Sequence, residues 1–176
     1  MTDNPYSGKD PQQYIAALDA LVGGRPPLEI LAAQSDQLQS FFSGKDVSKF
    51  DLPETAGKWS ITDVLHHLFD VELVYGYRVR QIAASNTPPI FPDMDQDLWA
   101  AARWYRDLPH VAVLAALAAS RTLNLTMLRS LSDSQRARFG IHRKRGEESV
   151  DTLMVRWAGH DLVHLRQLKR IWDAVK

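Results

Sequence analysis

The chain has 176 residues, 45% of them hydrophobic and 24% charged, and its 21 Lys and Arg balance 21 Asp and Glu. That composition fits one globular domain and excludes a disordered tail, and the zero net charge argues against general attraction to nucleic acid or an anionic membrane. Cysteine is absent, which excludes disulfides, thiolate metal sites and a cysteine nucleophile, so metal chemistry must use His, Asp or Glu.

Residues 1–10 are polar and expected to be flexible, with neither the basic start nor the apolar stretch of a signal peptide. Asp10 can cap a helix beginning at Pro11, whose apolar side is Tyr14, Ile15, Leu18, Leu21 and Val22 and which ends before Gly23 and Gly24. A second helix is predicted from Pro27 to before Gly44, carrying Leu28, Leu31, Leu38, Phe41 and Phe42; residues 45–58 lack a period and read as a connection. Ser60 and Asp63 form a capping-box pattern behind Trp59, and Ile61 to about Ser85 then shows a stripe of Leu65, Leu68, Val71, Tyr75, Val79 and Ile82. Pro88, Pro89 and Pro92 keep the next stretch irregular.

A short helix is expected over Asp95 to Arg106, and after Pro109 a long one over Val111 to Leu131, rich in Leu and Ala. Its longest apolar run, Val111 to Ala119, is shorter than a membrane span, and with no membrane segment or signal the chain reads as cytoplasmic. Ser132 and Gln135 suggest one capped turn, the basic stretch Arg136 to Gly146 reads as a loop, and Ser149 caps a last helix about 39 Å long that runs to the C-terminus. Nothing alternates like a strand. The expected fold is all-α: a single domain over 1–176, a four-helix bundle with short additional helices in the connections.

His160 and His164, four apart on the last helix, share a face and can reach one ion. A third ligand from another helix would close the set, and either His67 or His66 on the third helix is placed for it. His160-Asp161-Leu162-Val163-His164 also invites comparison with the HExxH peptidase helix, but Asp161 stands where that motif has Glu and is shorter by a methylene. Asp63, Asp70, Glu72 and Asp161 are the carboxylates close in sequence to these histidines. Asp63 is placed to orient a ligand, and Glu72 lies about 140° around the helix from His67. Arg78 is an anion binder or half of an ion pair with Glu72 or another carboxylate. Arg136, Arg138, His142, Arg143, Lys144 and Arg145 form a basic loop that reads as a solvated face able to admit an anion, with His142 a proton-transfer candidate if the loop folds over the metal. Trp99, Trp104, Trp157, Tyr75 and Tyr77 read as packing or pocket residues. Asp93, Asp95 and Asp97 lack the glycine and glutamate spacing of a calcium loop.

Trp59-Ser60 followed by His66-His67-Leu68-Phe69-Asp70-Val71-Glu72, and Ala158-Gly159-His160-Asp161-Leu162-Val163-His164 near the end, resemble the two motifs of the DinB/YfiT-like superfamily of metal-dependent enzymes. Arg78 matches a family arginine, and the resemblance runs from about residue 25 to the end. It implies a four-helix bundle, frequently a homodimer, whose single divalent ion, zinc or nickel, is held by His67, His160 and His164; the histidine before Leu68 is the ligand. It also implies a small-molecule substrate. Within the family some members are S-transferases or isomerases that use a low-molecular-weight thiol, and others are described as hydrolases. The reading favoured from the sequence is a thiol-dependent S-transferase acting on small electrophiles. Asp161, Glu72 and Arg78 are its catalytic candidates, and Arg78 and Arg143 would hold the carboxylates of an external thiol. A hydrolase of small esters or amides, or a metal-stabilised binding protein without turnover, are the alternatives.

Overall fold

In the computed structural model the described residues are 10–176 apart from 103 and 105; of the stretch expected to be flexible, residues 1–9 lie outside them. Asp10 accepts from the Gln12 N–H and starts α1 (Pro11–Val22). α2 (Pro27–Phe42) follows, and a short 3-10 turn at Val47–Lys49 interrupts the connection. Ser60 and Asp63 form the reciprocal capping box that opens α3 (Ile61–Ala84). α4 (Gln96–Ala102) is the short helix, α5 (His110–Ser130) the long one, and α6 (Asp133–Arg136) a single turn with its own capping box. The Ser149 hydroxyl caps α7 (Val150–Val175).

α2, α3, α5 and α7 form the four-helix core, and α1 packs along α7. Two hydrophobic clusters fill it. One joins Leu31, Val71, Val79, Ile82, Leu125, Leu153 and Trp157; the other joins Leu38, Phe42, Val64, Leu65, Leu68, Leu117, Leu168 and Ile171. Each fully buried Leu or Ile contributes about 1.5–3 kcal/mol, whereas a buried polar group costs free energy unless it is paired. Between the two clusters the same helices turn polar: Gln34 on α2, His67 and Glu72 on α3, Arg121 and Asn124 on α5, and His160, Asp161, His164 and Gln167 on α7 are all buried. This layer is held at a cost in stability that its internal pairing must offset.

Two glycines let helices approach. A Cβ on Gly159 would lie 2.8 Å from the Leu18 carbonyl oxygen, so α1 can press on α7 one residue before His160 only because that position has no side chain. A Cβ on Gly76 would meet the Asn124 side chain at 2.7 Å, at the place where Asn124 crosses from α5 to Glu72.

The basic stretch differs from the expected loop. Phe139–His142 (β2) and Gly146–Ser149 (β3) form an antiparallel hairpin, and Ile90–Phe91 (β1) pairs in parallel with β2. The buried positions of β2 are Gly140 and His142, so its alternation has no apolar signature, and β1 has only two residues. Gly146, at φ 78°, closes the turn. A second difference concerns α5, which by length and composition alone could cross a membrane, longer than the apolar run read from the sequence. Here it packs on α2 and α3 and buries Arg121 and Asn124.

Candidate metal centre

The polar layer brings together three histidines distant in sequence. One ring nitrogen from each of His67, His160 and His164 lies within 4.8 Å of the other two, and all three side chains are buried. His66, the neighbour with an equal claim from periodicity, is not in the cluster. His67 and His160 face each other through Nε2 at 3.0 Å. Two imidazole nitrogens sharing one tetrahedral ion at ordinary bond lengths stand about 3.3 Å apart, so this spacing suits a common ion with little adjustment. His164 donates through Nδ1 to the Gln167 amide oxygen at 2.6 Å, which leaves its buried Nε2 as a lone-pair donor with no hydrogen-bond partner among the described residues. Trp59 packs on two of the rings, 4.8 Å from His67 and stacked 6.3 Å from His164.

Burial pushes all three histidines below their usual range, His160 to about 3, and the neighbouring histidines and Arg121 push the same way. They are neutral at physiological pH, the form in which imidazole binds a metal. Beside them Arg121 on α5 donates through Nε and Nη2 to Glu72 Oε2 at 2.9 and 2.6 Å and pairs with Asp161 Oδ2 at 2.9 Å. Its Nη1 reaches the Leu31 carbonyl, and Asn124 completes Glu72 at 2.7 Å. Burial raises both carboxyls against the pull of Arg121. With both ionised, one guanidinium faces two carboxylates, and the surplus negative charge favours a cation among the imidazoles. A cleft with room for about one water reaches His67 between α3 and α4, lined by Asp63, His66, Asp70, Trp99, Ala100 and Trp104.

Comparison with known proteins places this arrangement. The DinB superfamily profile matches residues 30–168, which take in all four bundle helices but the first residues of α2 and the end of α7. The chain belongs to the DinB superfamily. A DinB-type fold is also shared with the structure of YfiT from Bacillus subtilis, whose unusual four-helix bundle topology matches with a TM-score of 0.76 over 84% of each chain at 20% identity. In sequence, YfiT of Bacillus subtilis is 28% identical over 127 residues, 70% of this chain and 71% of that one. A relative from Oceanobacillus iheyensis is 26% identical over 113 residues, 64% of either chain, so this chain spans just under two thirds of that relative's length. Both relatives are named as candidate metal-dependent hydrolases.

Within this DinB bundle the other residues singled out from the sequence divide. Asp161 and Glu72 reach the histidine layer, both tied to Arg121 and almost wholly buried. Arg78 does not pair with Glu72; its Nη2 donates to the Pro92 carbonyl at 3.0 Å and its guanidinium lies over the Phe91 ring. Arg143 is exposed at the tip of the β2–β3 hairpin. His142 is committed elsewhere: Nδ1 accepts the N–H groups of Lys144 and Arg145, and Nε2 faces Asp93 at 3.3 Å. Asp63 is engaged in the α3 cap. Tyr75 and Trp157 stack in the core, whereas Tyr77 and Trp104 are exposed. Arg121, Asn124 and Gln167 went unremarked as site residues. Arg121 carried a signal, being the sole Lys, Arg, Asp or Glu between His110 and Arg129 on an apolar helix.

Proposed function

We propose that the chain is a metal-dependent hydrolase of small esters or amides, with His67, His160 and His164 holding one divalent ion, zinc or nickel. The observation that carries this is the buried cluster of three neutral imidazoles opening on a cleft with room for about one water. A bound ion would supply Lewis acidity toward a substrate oxygen or water. The chain's own groups do the rest: Gln167 fixes the His164 tautomer, and the Arg121 pair with Glu72 and Asp161 holds α3, α5 and α7 in register. Asp161 and Glu72 act in this reading through Arg121, as positioning residues.

Hydrolysis stands ahead of thiol transfer because both named relatives carry a hydrolase description. Thiol transfer, with Arg78 and Arg143 holding the carboxylates of an external low-molecular-weight thiol, is the reading that the test must separate. The zinc- and nickel-loaded proteins are assayed on small esters and amides with and without glutathione, bacillithiol or mycothiol. Cleavage that needs the metal and is lost in His164→Ala without any thiol supports the hydrolase; turnover only with a thiol replaces it with the transferase. Absence of turnover in a metal-replete protein favours a metal-stabilised binding protein. We also propose a cytoplasmic homodimer, joined through the uncharged outer side of α5, where Val111, Ala115, Ala119 and Leu123 are exposed, together with Leu73 and Tyr77 of α3.

A further inference from the structure

Beyond the stacked rings of Tyr75 and Trp157, whose centroids are 5.2 Å apart, lies a second charged cluster that the metal reading does not use. Arg145 in the hairpin turn lies near enough to both Arg78 on α3 and Arg156 on α7 for its charge to act on each. Arg145 donates to Glu148 through Nε and Nη2 at 2.6 and 3.0 Å, and Arg156 pairs with the same carboxylate through Nη1. Asp93 is taken by Lys144 at 2.5 Å and by His142. Arg78 is left over. It is 5% exposed; among the described residues its one hydrogen bond runs from Nη2 to the Pro92 carbonyl, and Asp93 lies near enough to favour its charge. The Arg156 Nε is also buried, with no hydrogen-bond partner among the described residues.

Four cations thus face two carboxylates, with the exposed Asp19 of α1 adding its charge near Arg156. Burial, and after it the charge of Arg145, weakens the hold of Arg78 and Arg156 on their protons, the sign of guanidinium groups crowded together. Arginine does not neutralise itself at physiological pH, so a small anion would offset the surplus among the buried guanidinium groups. Arg78 presents unused donors in a planar fork, backed by the Phe91 ring and held by Pro92. Arg145 is partly exposed and Lys144 largely so, which leaves a cationic rim to the solvent.

We infer that Arg78, Arg145 and Arg156 form a binding site for a small oxyanion, the carboxylate or phosphate group of a small molecule, separate from the histidine cluster. Arg78 lies 11 residues beyond His67 on α3, about 16 Å along the helix axis, and the Tyr75–Trp157 stack fills the core on the way. The inference stands whether or not the histidines hold a metal.

The full chain is titrated calorimetrically with inorganic phosphate and, separately, with succinate, for the wild type, Arg78→Met, Arg145→Ala and His164→Ala. Circular dichroism checks that each variant is folded; Arg145→Ala, in the hairpin turn, provides the arm that leaves the helical core untouched. The expected result is saturable binding of at least one of the two anions, one per chain, weakened about tenfold or more in Arg78→Met and Arg145→Ala and unchanged in His164→Ala. The anion that binds identifies the guest as phosphate or carboxylate. No saturable binding of either, wild-type affinity in the two arginine variants, or loss in His164→Ala overturns the site.

Discussion

In the proposed metal site, His164 is a side chain whose two ring nitrogens have separate tasks. Its Nδ1 is taken by Gln167 and its buried Nε2 has no hydrogen-bond partner among the described residues, so Gln167→Leu should leave the fold intact and weaken zinc binding about 10- to 100-fold. Replacing His67, His160 or His164 by Ala should weaken it further still, and His66→Ala much less, because His66 lies outside the cluster. Elemental analysis with metal titration of these variants checks the series; equal occupancy and affinity throughout would remove the site. Protons give a second readout. His142, the buried last residue of β2, is pushed down to about 4 by burial first and by Arg145 and Arg78 after it. A histidine at about 6.5 in the unfolded chain binds more protons there than in the fold between the two values. Stability therefore is complete above about 6.5 and is lost as pH falls toward 4, and the buried metal-free histidines pull the same way. Thermal melts of the metal-free chain across that window should show the fall, with a shallower slope in His142→Asn.

At the scale of elements, the polar layer binds the helices through Arg121, which touches α2, α3 and α7 from α5. Arg121→Met would leave Glu72 and Asp161 buried without their cation, and breaking such a pair costs about 3–5 kcal/mol. Urea denaturation measures it; a loss below about 1 kcal/mol would mean that the layer is held by its other contacts. The packing of α1 on α7 makes a prediction of opposite local sense. Gly159→Ala gains about 1 kcal/mol of helix propensity, but its methyl would meet Leu18 backbone at 2.8 Å, an overpacking cost of about 1–3 kcal/mol. The collision is with backbone and not with a movable side-chain end, so the variant should melt lower, by about 2–4 °C for each net kcal/mol in a chain of this size.

For the whole molecule, the outer side of α5 is uncharged along most of its length and carries Val111 at 62% and Leu123 at 66% exposure. Apolar surface left open on this scale is what a partner copy would cover. Light scattering should then find twice the 19.9 kDa chain mass for the wild type and the single mass for Leu123→Glu with Tyr77→Glu. A monomer at every concentration would exclude the dimer.

The helices were legible because their signals are local. Ser60 with Asp63, Ser132 with Gln135 and Ser149 lie within a few residues of the N–H groups they cap, and the three- and four-residue apolar spacings bury one side of each helix whatever lies opposite. The pair His160 and His164 was equally local, being one turn apart; His67 needed the family motif to be preferred over His66, since the period alone leaves a choice of neighbours. What only the tertiary structure decided depends on partners far apart in the chain. Arg121 reaches Glu72 across 49 residues and not Arg78, Asn124 passes through the gap at Gly76, and a hairpin whose inward residues are Gly140 and His142 carries no apolar alternation to announce it. A buried charge can be seen in a sequence as an anomaly on an apolar helix, but which charge answers it is a matter of distance, and distance is set by the packing of all four helices at once.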